Sequence, residues 1–129
     1  LKNFYTETLF GRRRNFQNIN SRIPFLKNMA ERTATNAPVQ GTAADIIKIA
    51  ITQIDDTLVK MGLRDKVHLV LQVHDELVYE TEQDTQEMAK EIIMKAMVSV
   101  LSRSPIPLNI SPVPLATSVS SGARLDELK

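Results

Sequence analysis

A chain of 129 residues with 43% apolar content suits one domain or a part of a larger one, and is too apolar for a disordered segment. It has no cysteine, which excludes disulfides, zinc–thiolate sites and thiol nucleophiles. The net charge of +1 hides an asymmetry: residues 1–35 hold seven Lys or Arg and two acids, whereas the rest holds nine bases and thirteen acids. A basic arm ahead of an acidic body suits a polyanion on one side and cations on the other, and equally suits an unevenly charged solvated surface.

The chain starts Leu1-Lys2-Asn3-Phe4, which is neither an initiator methionine nor a signal peptide. It is expected to be cut from a longer chain. No apolar run reaches the ~18 residues that span a bilayer. Residues 4–19 carry Phe, Tyr and Thr on one side of Gly11 and three arginines on the other, which predicts a short hairpin turning near Gly11. Pro24 opens a predicted helix over about 24–35, with Phe25, Met29 and Thr33 at four-residue spacing. Asn36 is a candidate N-cap and Pro38 a first-turn residue for a second helix over about 37–61. Its apolar series is Ile47, Ile51, Ile54, Leu58 and Met61, and Gly62 is its stop. Gly41 weakens that helix and leaves room for a close approach.

Val67 to Tyr79 is apolar and β-branched, interrupted only at His74-Asp75-Glu76. It predicts two strands with a tight turn, with Val67, Leu69, Leu71 and Val73 on one face and His68, Val70 and Gln72 on the other. Asp84 and Glu87 are spaced as in a capping box. Met88, Ile92, Met97, Val100 and Leu101 mark a third helix ending before Pro105. Asn109 to Val119 is extended and proline-interrupted, which predicts an edge strand. Strands and helices do not alternate regularly, so the class is α+β.

The segment that carries chemistry is Leu71-Gln72-Val73-His74-Asp75-Glu76-Leu77-Val78. It sets two adjacent carboxylates at the turn of an apolar hairpin, where charge is costly unless solvated, paired or bound to metal. Hairpin turns favour Asn-Gly or Asp-Gly, so turn propensity does not explain His-Asp-Glu. Hard oxygen ligands at a strand end suit Mg²⁺, which takes one or two carboxylates plus substrate phosphates. An exposed polar turn is the plain alternative.

Gln72-Val73-His74-Asp75-Glu76 resembles motif C of the family A, bacterial polymerase I-like DNA polymerases. Two upstream blocks share the resemblance in the same order: Thr6-Glu7-Thr8-Leu9-Phe10-Gly11-Arg12-Arg13-Arg14, and Arg32 through Gln40-Gly41-Thr42-Ala43-Ala44-Asp45. Together the blocks cover about residues 5–80. The resemblance implies a single C-terminal palm and fingers-junction fragment over 1–129. Its motif C hairpin would pack as an antiparallel sheet against long helices. It implies template-directed transfer of a nucleotide from a dNTP to a primer 3′-hydroxyl with two Mg²⁺ ions. Asp75 would be a catalytic metal ligand, and Glu76 the accessory acid. Asp75's partner carboxylate belongs to motif A, which precedes this segment in the family, as does the nucleotide-gripping fingers helix. The fragment alone is therefore expected to be inactive and to bind metal weakly or not at all.

By the same resemblance, Arg32, Asn36 and Gln40 face the template–primer duplex, and His74 lies near the primer terminus. Asn36 and Gln40 are four apart, so they share a helix face. Long polar side chains there can reach minor-groove acceptors that are nearly alike for all base pairs. Plain alternatives are an N-cap for Asn36, a solvated side chain for Gln40 and a packed strand-end residue for His74. Arg12, Arg13 and Arg14 would contact phosphate or cap the fingers–palm junction; consecutive side chains cannot all point one way, so one or two are expected to matter for DNA. Gly41, Ala43 and Ala44 would let duplex, strand or sheet come close. The resemblance also implies a cytoplasmic, nucleoid-associated protein without membrane contact, an organelle being the alternative. Residues 116–125 depart from the family's acidic, valine-rich strand, and the chain has no tryptophan.

Two other readings compete. A non-catalytic nucleic-acid-binding module would use the basic arm, but gains nothing from Asp75 and Glu76 facing phosphate. A stand-alone metal-dependent hydrolase using His74, Asp75 and Glu76 would need further converging ligands, and the sequence offers no second acidic pair or histidine cluster.

Overall fold

The computed structural model describes residues 4–101 and 114–128. The chain divides into two compact units, one ending at Asp45 and the next starting at Ile46. The class is α+β: helices with two antiparallel strand pairs.

In the first unit, β1 (Tyr5–Glu7) pairs with β2 (Arg13–Asn15) in the register Tyr5↔Asn15, Thr6↔Arg14, Glu7↔Arg13. The loop closes through Thr8 N–H to the Arg12 carbonyl at 2.9 Å and Gly11 N–H to the Thr8 carbonyl at 3.0 Å. Gly11 sits at φ 85°, where a side chain would be strained, so the predicted turn glycine is the turn glycine. Phe16 and Ile19 then bury themselves against Ala30, Ala34 and Ala37, the small-residue seam of the following helix.

That helix, α1, runs unbroken over Pro24–Lys60. This corrects the expectation of two helices, and with it the reading of Asn36 as an N-cap: Asn36 is mid-helix and Pro38 is interior. An interior proline costs about 3 kcal/mol in a helix. Here tertiary packing offsets it, since the buried alanines on the N-terminal side of Pro38 are three of the five residues in the first unit's core cluster.

In the second unit, α1 ends as the sequence predicts. Gly62 (φ 67°) donates to the Val59 carbonyl at 3.1 Å and Leu63 to the Leu58 carbonyl at 2.9 Å, a Schellman closure. Strands β3 (Val67–Val73) and β4 (Glu76–Thr81) follow, then α2 (Gln86–Ser99). The core joins Ile54 and Leu58 of α1, Val67 of β3, and Ala89, Ile92 and Ala96 of α2, with Leu77 and Tyr79 of β4 packed against it. Burial, and secondarily the charge of Asp55, push the Tyr79 hydroxyl from 10.0 up to about 12.

Three details differ from expectation. No side-chain cap starts α2. Instead the Asp84 carboxylate takes a hydrogen bond from Lys66 Nζ at 3.1 Å, and Glu82 pairs with the same amine at 2.8 Å. These two bonds, Glu82's the larger, raise the Lys66 ammonium above its ordinary value. α2 buries its alanines and leaves Met88 exposed, because small residues let helix and sheet approach closely. Of the expected edge strand 109–119, residues 109–113 lie outside the described residues and 114–119 form no strand.

Candidate functional site

Two stretches hold the residues singled out by sequence, one in each unit. In the second unit, β3 and β4 meet in a two-residue turn, His74-Asp75, with Val73 paired to Glu76. His74 takes φ 52°, whereas Asp75 does not have positive φ. That is the pattern of a turn with left-handed backbone at its first loop position, where glycine is the usual resident. A side chain there costs about 1–2 kcal/mol. A strained, non-glycine residue beside two acids is a pattern found at functional sites.

A bulge at Val70 changes which face of the hairpin, relative to the core, the side chains beside the acids occupy. The register passes from Leu69↔Tyr79 to Leu71↔Val78, so Val70 is the extra residue. The predicted single face of Val67, Leu69, Leu71 and Val73 is thereby split. Val67 and Leu69 share a face with Leu77 and Tyr79, which pack on the core. Leu71 and Val73 share the opposite face with Glu76 and Val78. On that face Leu71 is 43% and Val73 41% exposed.

His74, Asp75 and Glu76 are all exposed, and no hydrogen bond or ion pair holds either carboxylate among the described residues. Among those residues no group of three or more His, Cys, Asp or Glu gathers to hold a metal. Two free, adjacent carboxylates still match what Mg²⁺ takes from protein when phosphates and water supply its other ligands.

In the first unit, the unbroken helix puts Arg32, Asn36 and Gln40 at four-residue steps, so all three lie along one exposed stripe. The three arginines are sorted by the hairpin. Arg12 Nε donates to Asp45 Oδ1 at 2.8 Å and Nη2 donates to the Gly41 carbonyl at 3.1 Å. Arg13 pairs with Glu7 at 3.2 Å and lies over the Tyr5 ring. Arg14 lies 5.6 Å from the Phe16 ring centroid and has no ion pair among the described residues. The room left by Gly41 is filled by Thr8: a Cβ at Gly41 would sit 2.6 Å from the Thr8 methyl. Sequence reasoning gave no role to Asp45, which is 8% exposed. Its signal was an acid at the head of the isoleucine-rich stretch 46–51.

Replacing His74 with glycine is expected to leave the fold as stable or up to about 1 kcal/mol more stable, because the strained φ is relieved while glycine's extra chain entropy offsets part of the gain. A urea melt of the variant checks this; a midpoint below that of the parent chain contradicts it.

The sequence model described as DNA polymerase family A matches residues 1–127. The DNA polymerase I of Rhizobium leguminosarum is 42% identical over 123 residues, which cover 95% of this chain and 12% of that protein. The thermostable DNA polymerase I of Thermus filiformis is 48% identical over 93 residues, 72% of this chain and 11% of that protein. A solved structure, the POL domain of Pol1 from M. smegmatis in complex with DNA primer-template and dNTP, superposes with a TM-score of 0.73 at 39% identity, over 77% of this chain and 17% of that one. The chain thus spans about an eighth of the length of the curated relatives it matches. Among the described residues no helix is long and apolar enough to cross a membrane.

Proposed function

The chain belongs to DNA polymerase family A, and on that premise we propose that it is a C-terminal palm segment of a polymerase that extends a DNA primer from dNTPs. The observation that carries this reading is the pair of free carboxylates, Asp75 and Glu76, at a hairpin tip whose backbone is strained at His74. The relative solved with DNA primer-template and dNTP supports these partners.

In this reading Asp75, with Glu76 as accessory acid, holds divalent metal, Mg²⁺ by the hardness of its oxygen donors. When bound, the metal pair eases deprotonation of the primer hydroxyl and offsets charge on the triphosphate. The remaining work belongs to the chain's own side chains. Arg32, Asn36 and Gln40 offer donors along one helix stripe to the duplex minor groove, where acceptors differ little between base pairs. Contacts of that kind tolerate any sequence while sensing pair shape. His74 lies at the primer end. Among the three arginines, Arg14 is the one placed to give its charge to phosphate, with Arg12 and Arg13 contributing whatever donors their internal partners leave over. The apolar face of exposed Leu71 and Val73 with half-buried Val78, beside Glu76, supports a hairpin that the rest of a polymerase covers.

Primer extension tests the reading. The polymerase that carries this segment extends a primed template in Mg²⁺, and the 129-residue chain alone extends none. Extension by the purified chain alone, or none by the complete protein, contradicts it.

A further inference from the structure

The stripe of Arg32, Asn36 and Gln40 runs across the weakest part of α1. Pro38 has no N–H to donate to the Ala34 carbonyl, and Gly41 is a poor helix former. A helix with both residues within four positions tends to break there. The hairpin loop is fastened to this stretch at three points. Leu9 N–H donates to Thr42 Oγ1 at 3.0 Å, Arg12 Nη2 to the Gly41 carbonyl at 3.1 Å and Arg12 Nε to Asp45 Oδ1 at 2.8 Å. The Thr8 side chain fills the notch where Gly41 lacks a Cβ.

Asp45 is the unusual member. It is 8% exposed, its Oδ2 is buried without a partner, and Arg12 is the cation that pairs with it. A buried acid beside a surface meant for DNA weakens the attraction for phosphate. An arginine kept for phosphate gains nothing from it. Arg12 is also the arginine whose donors reach a helix carbonyl one residue from Gln40.

We propose that Arg12 and Asp45 are positioning residues: their ion pair holds α1 in register through Pro38–Gly41, so that Gln40 stays aligned with Asn36 and Arg32 on the duplex. The inference rests on reading that stripe as the duplex contact. It assigns Arg12 an action through Gln40.

The test uses the complete polymerase with Asp45→Asn, Arg12→Lys and Gln40→Ala, scored on matched and mismatched primer ends and on duplex affinity across salt concentrations. Asp45→Asn removes a negative charge, so simple electrostatics predicts tighter duplex binding. The clasp predicts the opposite: about a tenfold loss of matched-end extension, since small misplacements near a reacting centre are amplified. It also predicts reduced discrimination against mismatches and an unchanged salt slope. Arg12→Lys keeps the charge but loses the fork that spans two acceptors, and is expected not to rescue. The Asp45→Asn loss should vanish in the Gln40→Ala background. If Asp45→Asn melts near the assay temperature, the pair Arg12→Met with Asp45→Leu decides the matter, because it removes the half-exposed arginine and the buried acid together and leaves no buried polar group without a partner. Wild-type extension and discrimination by that pair, or by Asp45→Asn, overturns the proposal. So does full rescue by Arg12→Lys. A wild-type enzyme that extends no primer overturns the polymerase reading instead.

Discussion

Replacing Asp75 with alanine is expected, on the proposed reading of it as a metal ligand, to lower primer extension by roughly 10³-fold or more, because losing such a ligand removes several kcal/mol of transition-state stabilisation at about 1.4 kcal/mol per tenfold. The fold should be unaffected. Asp75 is exposed at a two-residue turn and has no internal partner among the described residues, so its truncation opens no cavity and orphans no buried group. Surface changes of that kind shift stability by about 0.5 kcal/mol or less. Duplex affinity should hold or rise slightly, since a negative charge is removed and cationic contacts to phosphate dominate binding. Glu76→Ala should cost less, since the proposed reading makes Glu76 the accessory acid. Equal losses of duplex binding and of extension would mark the turn as a binding element.

Truncating Ile54 to alanine is expected to destabilise the second unit by about 2–5 kcal/mol. Ile54 is 0% exposed, and its neighbours in the core come from α1, β3 and α2. Two of those neighbours, Ala89 and Ala96, are too small to lean into the space. The cavity therefore stays open and the upper part of the range applies. A small domain holds only about 5–15 kcal/mol in total, so the loss should appear as a large drop in urea midpoint with little change in slope. A shift equivalent to less than about 1 kcal/mol would mean the core is plastic at Ile54.

Much of the second unit was legible in sequence. Gly62 ended its helix because a left-handed residue there completes the closure with Val59 and Leu63. The strand pair around His74-Asp75 followed from β-branched residues on both sides of a polar interruption. The bulge at Val70 was not legible, since nothing in an alternating apolar run says where one residue is extra. It matters for the site, because it turns Leu71, Val73 and Glu76 away from the core-facing side of Val67 and Leu69. The first unit was harder. Asn36 and Pro38 are local signals for a helix start, and tertiary burial of Ala30, Ala34 and Ala37 overrode them. The same continuity sets Arg32, Asn36 and Gln40 on one stripe, a tighter arrangement than a broken helix would give. The sorting of Arg12, Arg13 and Arg14 depended on partners far apart in sequence, Asp45 above all, and no local pattern announces them.

The account turns on Asp75 acting in the chemical step. The decisive measurement is the single-turnover extension rate of the complete polymerase and its Asp75→Ala variant, each saturated with primed template in Mg²⁺. A rate per bound duplex lower by roughly 10³-fold or more, with duplex affinity kept, is the predicted result. An unchanged rate per bound duplex would contradict it.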